Sequence, residues 1–102
     1  MAKLLVLYKT PADPAAFDVY YEGTHIPKAK KIPGLRKYEV SRAPVLTPAG
    51  PAPIHLVATL HFDDMKSIGA AFASPEGQAA AADVATFATG GAEMMFFEDH
   101  EV

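Results

Sequence analysis

Two short runs near the ends of this 102-residue chain are apolar in both strand registers, and they restrict the fold more than any other feature. In the first run Leu5 and Leu7 alternate with Leu4, Val6 and Tyr8; in the last, Met95 and Phe97 alternate with Met94 and Phe96. A strand that sends apolar side chains both ways expects cover on both faces of its sheet. Two helices cover only one face of a four-stranded sheet, and soluble proteins rarely leave a contiguous apolar patch in water. The economical remedy is a second copy, packed sheet against sheet about a two-fold axis. The expected partner is therefore the chain itself.

The intervening sequence supplies the other elements. Lys3 to Lys9 reads as a strand that stops before Thr10-Pro11. Asp13 caps and Pro14 opens a helix predicted to reach about His25, with Phe17, Tyr20, Tyr21, Thr24 and His25 on one side. Ile26-Pro27 is expected to interrupt it, because the residue before proline avoids the α region; Lys28 to Lys31 adds a turn before Pro33-Gly34. Leu35 to Arg42 reads as a second strand, and Ala43 to Pro53, with four prolines and a glycine, as a stiff surface loop. Ile54 to Phe62 is the third strand, with His55, Thr59 and His61 expected on one register. Asp63 or Asp64 caps a helix carrying Met65, Ile68 and Phe72. Ser74-Pro75-Glu76 restarts it through Ala80, Ala81 and Val84 to about Phe87. Gly90-Gly91 stops that helix, and Ala92 to Glu98 is the last strand. The order β-α-β-β-α-β is the split pattern of a ferredoxin-like α+β fold: one antiparallel sheet with its helices on one face, in a single domain over 1–102.

Composition removes several classes of function. Half of the residues are hydrophobic and 21% are charged, as in a globular domain. The net charge of −3 and the scattered basic residues exclude a nucleic-acid surface. Without cysteine there is neither a disulfide frame nor a thiolate metal site. The N-terminal apolar run is too short for a signal peptide or a membrane span, so a cytoplasmic location and no membrane partner are expected. The sequence has no His-x-His or His-Glu-x-x-His pattern, no Gly-x-Ser-x-Gly elbow and no Gly-x-Gly-x-x-Gly turn. No metal and no cofactor are expected.

Three stretches carry a family resemblance. They are Leu4-Leu5-Val6-Leu7-Tyr8-Lys9-Thr10-Pro11, then Tyr20-Tyr21-Glu22-Gly23-Thr24-His25-Ile26-Pro27 with Ile32-Pro33-Gly34-Leu35, and Ser74-Pro75-Glu76-Gly77-Gln78 running on through Phe87 to Gly90-Gly91. In this order the chain resembles the ethyl tert-butyl ether degradation (EthD) family of the dimeric α+β barrel superfamily. The resemblance implies a homodimeric barrel with a pocket between sheet and helices, and a place in a catabolic pathway. Relatives in the wider superfamily include cofactor-free monooxygenases, cyclases, isomerases and haem-handling proteins.

His25 is the leading candidate for chemistry. It can share a helix face with Tyr21 and Phe17, and at the expected helix end its cation would be favoured. An imidazole in a partly apolar pocket moves protons on a small organic substrate. The structural alternative is a histidine that bonds freed carbonyls at a kink. Tyr21 joins His25 as the second catalytic candidate, orienting the substrate. Phe17, Tyr20, Thr24, Tyr8, Tyr38, Phe62, Phe72 and Phe87 are the candidate pocket residues, with aromatic core as the alternative for several. The reading is a cofactor-independent enzyme of oxidoreductase, isomerase or cyclase type acting on a hydrophobic or aromatic molecule. The rivals are a non-catalytic carrier and a haem protein with His25 as axial ligand.

Overall fold

In a computed structural model describing residues 1–102, the chain forms β1 (Ala2–Lys9), α1 (Pro14–Tyr20), a π turn (Tyr21–His25) and α2 (Ile26–Ala29). It continues with β2 (Lys37–Val40), a small hairpin of β3 (Leu46–Thr47) and β4 (Gly50–Pro51), and β5 (Ile54–Phe62). It ends with α3 (Met65–Ala73), α4 (Pro75–Phe87) and β6 (Ala92–Glu98). The main sheet is antiparallel, in the order β2-β5-β1-β6. Leu4 lies opposite Leu60 on one side and Phe96 on the other, and Val6 opposite Ala58 and Met94. This register turns Leu4, Val6 and Tyr8 with Ala58, Leu60 and Phe62 toward the helices, where all six are buried. No helix is long and apolar enough to cross a membrane.

The helix starts follow from capping. Asp13 accepts from the Ala16 amide at 3.1 Å, Asp64 from Ser67 at 2.7 Å, and Ser74 from Gly77 at 3.0 Å. Asp64 is thus the cap of α3, while Asp63 takes a two-pronged bond from Arg36. α3 and α4 meet so closely that a Cβ on Gly77 would lie 2.0 Å from the Ala71 carbonyl oxygen. A Cβ on Gly90 would likewise lie 2.2 Å from the Thr10 carbonyl oxygen.

Three sequence expectations change. The first helix is not interrupted at Ile26-Pro27: both His25 and Ile26 keep right-handed helical angles, and α2 follows directly. Proline cannot donate, and in a regular helix its ring would clash with the carbonyl four residues back. The π turn relieves this by widening, so that the Ile26 amide donates to Tyr21, five residues back. The second strand is shorter than Leu35 to Arg42, although the Arg36 and Ser41 amides still bond His61 and Val57 of β5. The Ala43–Pro53 stretch folds into the β3–β4 hairpin. α4 ends at Phe87, as the sequence predicts, and Gly91 at φ +93° turns the chain into β6.

The open sheet face carries half-buried Leu5, Leu7 and Val57. β6 extends that apolar surface around the sheet edge. Met94 and Phe96 on its helix side are 41% and 50% exposed, and Met95 and Phe97 on the other are 43% and 39% exposed. α3 reaches this edge at Phe72, whose ring lies 6.4 Å from Phe96.

Candidate functional site

The π turn delivers Tyr21 and His25 to the interior, 1% and 5% exposed. Their rings lie 5.1 Å apart, and Phe87 of α4 packs 4.7 Å from the imidazole. α4 also brings in Asp83, as buried as His25, and its Oδ2 lies 2.9 Å from His25 Nδ1. The other carboxylate oxygen accepts from the Tyr20 hydroxyl at 2.6 Å and from Lys28 Nζ at 3.2 Å. A buried carboxylate is tolerated here because every neighbour donates to it.

The electrostatics fix the protonation state. Burial pushes the Asp83 carboxyl up, but the hydrogen bonds from Tyr20, His25 and Lys28 and the Lys28 charge outweigh it, so its pKa falls below the ordinary carboxylate value. Burial pulls the His25 imidazole down; Asp83 opposes this, Lys28 adds to it, and the net shift is downward. Near pH 7 the pair is therefore an ionised aspartate and a neutral histidine. An ionised carboxylate only accepts, so Nδ1 carries the proton and Nε2 keeps its lone pair. Nε2 makes no hydrogen bond in the chain and is not sealed from solvent.

His25 lines an apolar cavity of about 30 Å³ between sheet and helices. Its floor is Leu4, Val6, Ala58 and Leu60; the half-buried Phe72 and Val84 and exposed Met94 stand where it opens between α4 and β6. Apart from His25, its polar atoms belong to three tyrosines, Tyr8, Tyr21 and Tyr38. The Tyr21 and Tyr38 hydroxyls are 2.5 Å apart. Burial, the largest influence on each, raises the pKa of all three phenols, which stay protonated.

Of the residues expected at a pocket, His25, Tyr21, Tyr8, Tyr38 and Phe72 line this cavity. The others lie outside it. Phe17 stacks on Tyr21 at 5.6 Å and, with Phe87 and Tyr20, borders a separate surface crevice. Phe62 is fully buried in the core, and Thr24 sits half-exposed on the outer side of the π turn. His25 is also not at a helix end, since the helix continues to Ala29; a helix-terminal cation is replaced by a buried neutral ring. His55 and His61 do not share a face. The register shift opposite Tyr8/Lys9 turns His55 toward α1, 2.8 Å from Asp18, whereas His61 bonds Glu39 at 2.6 Å on the open face.

Asp83 was not singled out in the sequence. Its signal is positional: it falls three residues after Ala80 and four before Phe87, on the buried stripe of an alanine-rich helix. Lys28 is marked only by following His25 by three positions. No group of three or more His, Cys, Asp or Glu side chains is placed to hold a metal ion.

Fold and site together define a ferredoxin-like α+β domain with a histidine–aspartate pair at an apolar cavity. The chain belongs to the EthD domain family, whose model matches residues 9–91. It is 41% identical over 102 residues to an uncharacterized 11.0 kDa protein from the thcB-thcC intergenic region of Rhodococcus erythropolis, covering 100% of this chain and 98% of that protein. An EthD family protein from Bacillus halodurans has the same fold with a TM-score of 0.90 and 37% identity, over 98% of this chain and 99% of that one. SnoaB, a cofactor-independent oxygenase from Streptomyces nogalater, shares the fold at a TM-score of 0.66 and 17% identity, over 99% of this chain and 94% of SnoaB.

Proposed function

We propose that the protein is a cofactor-independent enzyme that removes a proton from a small hydrophobic molecule, with His25 Nε2 as the general base. The observation that carries this reading is the buried 2.9 Å bond between His25 Nδ1 and Asp83, which leaves Nε2 free at an apolar cavity. When Nε2 takes a proton, the imidazolium formed is met by the carboxylate already in place. Asp83 is a positioning residue: it fixes the tautomer and ring orientation. Tyr20 and Lys28 hold Asp83 in turn. Tyr21, protonated beside the base, orients the substrate. Removal and return of a proton balance without a co-reactant, so an isomerisation or cyclisation is the simplest overall reaction.

At about 30 Å³ the cavity has room for no more than water-sized molecules as it stands, and a substrate enters by displacing the side chains at its opening. Met94, flexible and exposed, is suited to yield. The same reading has two copies joined through their open sheet faces, covering Leu5, Leu7, Val57 and Met95, in a cytoplasmic catabolic role. The test is the ring opening of 5-nitrobenzisoxazole, which needs only a base to take its C–H proton as the N–O bond breaks. Wild type should accelerate it, with a rate that rises as the imidazole loses its proton; His25→Gln and His25→Ala should return it to background. Binding of the probe without His25-dependent turnover would leave a carrier and overturn the enzyme reading.

A further inference from the structure

The three cavity phenols carry more protons than the protein accepts. One hydrogen bond joins the Tyr21 and Tyr38 hydroxyls, and the Tyr8 ring packs 5.5 Å from that of Tyr21. That bond uses one of the three phenol protons, and the Tyr8 hydroxyl makes no hydrogen bond in the chain. No carbonyl, carboxylate or imidazole bonds the group: His25 has its one hydrogen bond to Asp83, and the remaining lining is hydrocarbon. The cavity thus presents one unused acceptor, Nε2, and unused phenol donors. An O–H in an otherwise apolar lining gains a hydrogen bond from a ligand that brings an acceptor, so this pairing specifies a ligand.

Resting on the proton-transfer reading, we infer that the substrate is a neutral carbonyl compound with an acidic C–H next to the carbonyl, and that the cavity tyrosines bind its oxygen. The base and the phenols address different atoms, since the Tyr21 and His25 rings are 5.1 Å apart. A carbon acid has that layout: the proton on carbon, the acceptor oxygen two bonds away. Nε2 takes the proton, the C–H electron pair becomes a C=C bond, and the carbonyl π pair moves onto oxygen, where the phenol donates to it. Once the Nε2 proton has swapped with solvent, its return to the same carbon gives exchange; return to another carbon gives an isomer. A carboxylate substrate is disfavoured, because Lys28, the cation nearest the base, is already committed to Asp83.

The probe is 1-phenylpropan-2-one in D₂O, with loss of its methylene proton signal followed by NMR. Wild type should speed the exchange, and His25→Gln should abolish the gain. Tyr21→Phe and Tyr38→Phe keep the aromatic ring, and Tyr38 is half-exposed on an edge strand, so at least this variant is expected to fold. Each should lower kcat for exchange by roughly ten- to a hundredfold with little change in KM. His25-dependent exchange that both Phe variants leave untouched would overturn the role of the phenols. No exchange by wild type, while 5-nitrobenzisoxazole is still opened through His25, would overturn the substrate class and leave the base in place. Failure of both probes would remove the proton-transfer reading itself.

Discussion

Replacing Asp83 by asparagine should move a proton from one side of the His25 ring to the other. The carboxylate accepts from Tyr20, His25 and Lys28 together. An amide of the same shape has one accepting oxygen, and the side shared by Tyr20 and Lys28 offers two donors to it. The amide NH₂ then faces Nδ1, which must become the acceptor, so the proton goes to Nε2. The base at the cavity is lost while the fold stays. Charge-assisted bonds are about twice as strong as neutral ones, so the His25 bond alone should weaken by about 1 kcal/mol. Near 100 residues, that lowers Tm by roughly 4–8 °C. Asp83→Ala should cost more, about 1–3 kcal/mol for stranding Nδ1 in a site where the imidazole is 5% exposed. The assay is ¹⁵N NMR of the imidazole: wild type should show a protonated Nδ1 and bare Nε2, and Asp83→Asn the reverse, with ring opening of 5-nitrobenzisoxazole lost. An unchanged tautomer with lost turnover would refute this role for Asp83.

The pH dependence of stability has a definite sign. The folded His25 pKa lies below its ordinary value of 6.5, so the unfolded chain binds the proton first as pH falls through 6.5, and stability declines from there until the folded imidazole also titrates. The depressed Asp83 pKa contributes stability above the usual carboxylate range that is lost at still lower pH. His25→Gln should flatten the first decline in thermal melts between pH 7 and 5; an unaltered slope would mean that another group sets it. Gly77→Ala should lower Tm by 10 °C or more, because its Cβ meets the Ala71 carbonyl, whereas Gly23→Ala, with nothing within 4 Å, should hold or raise it. Met95→Glu, at an open-face position 43% exposed, should halve the mass seen by light scattering; a wild-type protein that is already monomeric at micromolar concentration would contradict the dimer.

The sequence by itself determined the element order. Local rules suffice for it: Asp13, Asp64 and Ser74 satisfy free amides wherever the chain goes next, and the two-register runs of β1 and β6 demand a sheet. Tertiary structure decided what these elements do at their ends and across gaps. Pro27 breaks a regular helix, but packing of Tyr21 and His25 against Phe87 favours widening the turn over ending it, and no local preference encodes that choice. Asp83 reads as one polar residue in an alanine-rich helix. Only the approach of α4 to the π turn, 58 positions away in sequence, makes it the partner of His25. The tyrosines of the cavity come from three elements at once, Tyr8 from β1, Tyr21 from the π turn and Tyr38 from β2. Spacing along a chain reports which residues share a face. Which faces meet is fixed by the register of β1 on β5 and by how closely small residues such as Gly77 let the helices approach. That information is carried by the whole core, and no single stretch of sequence holds it.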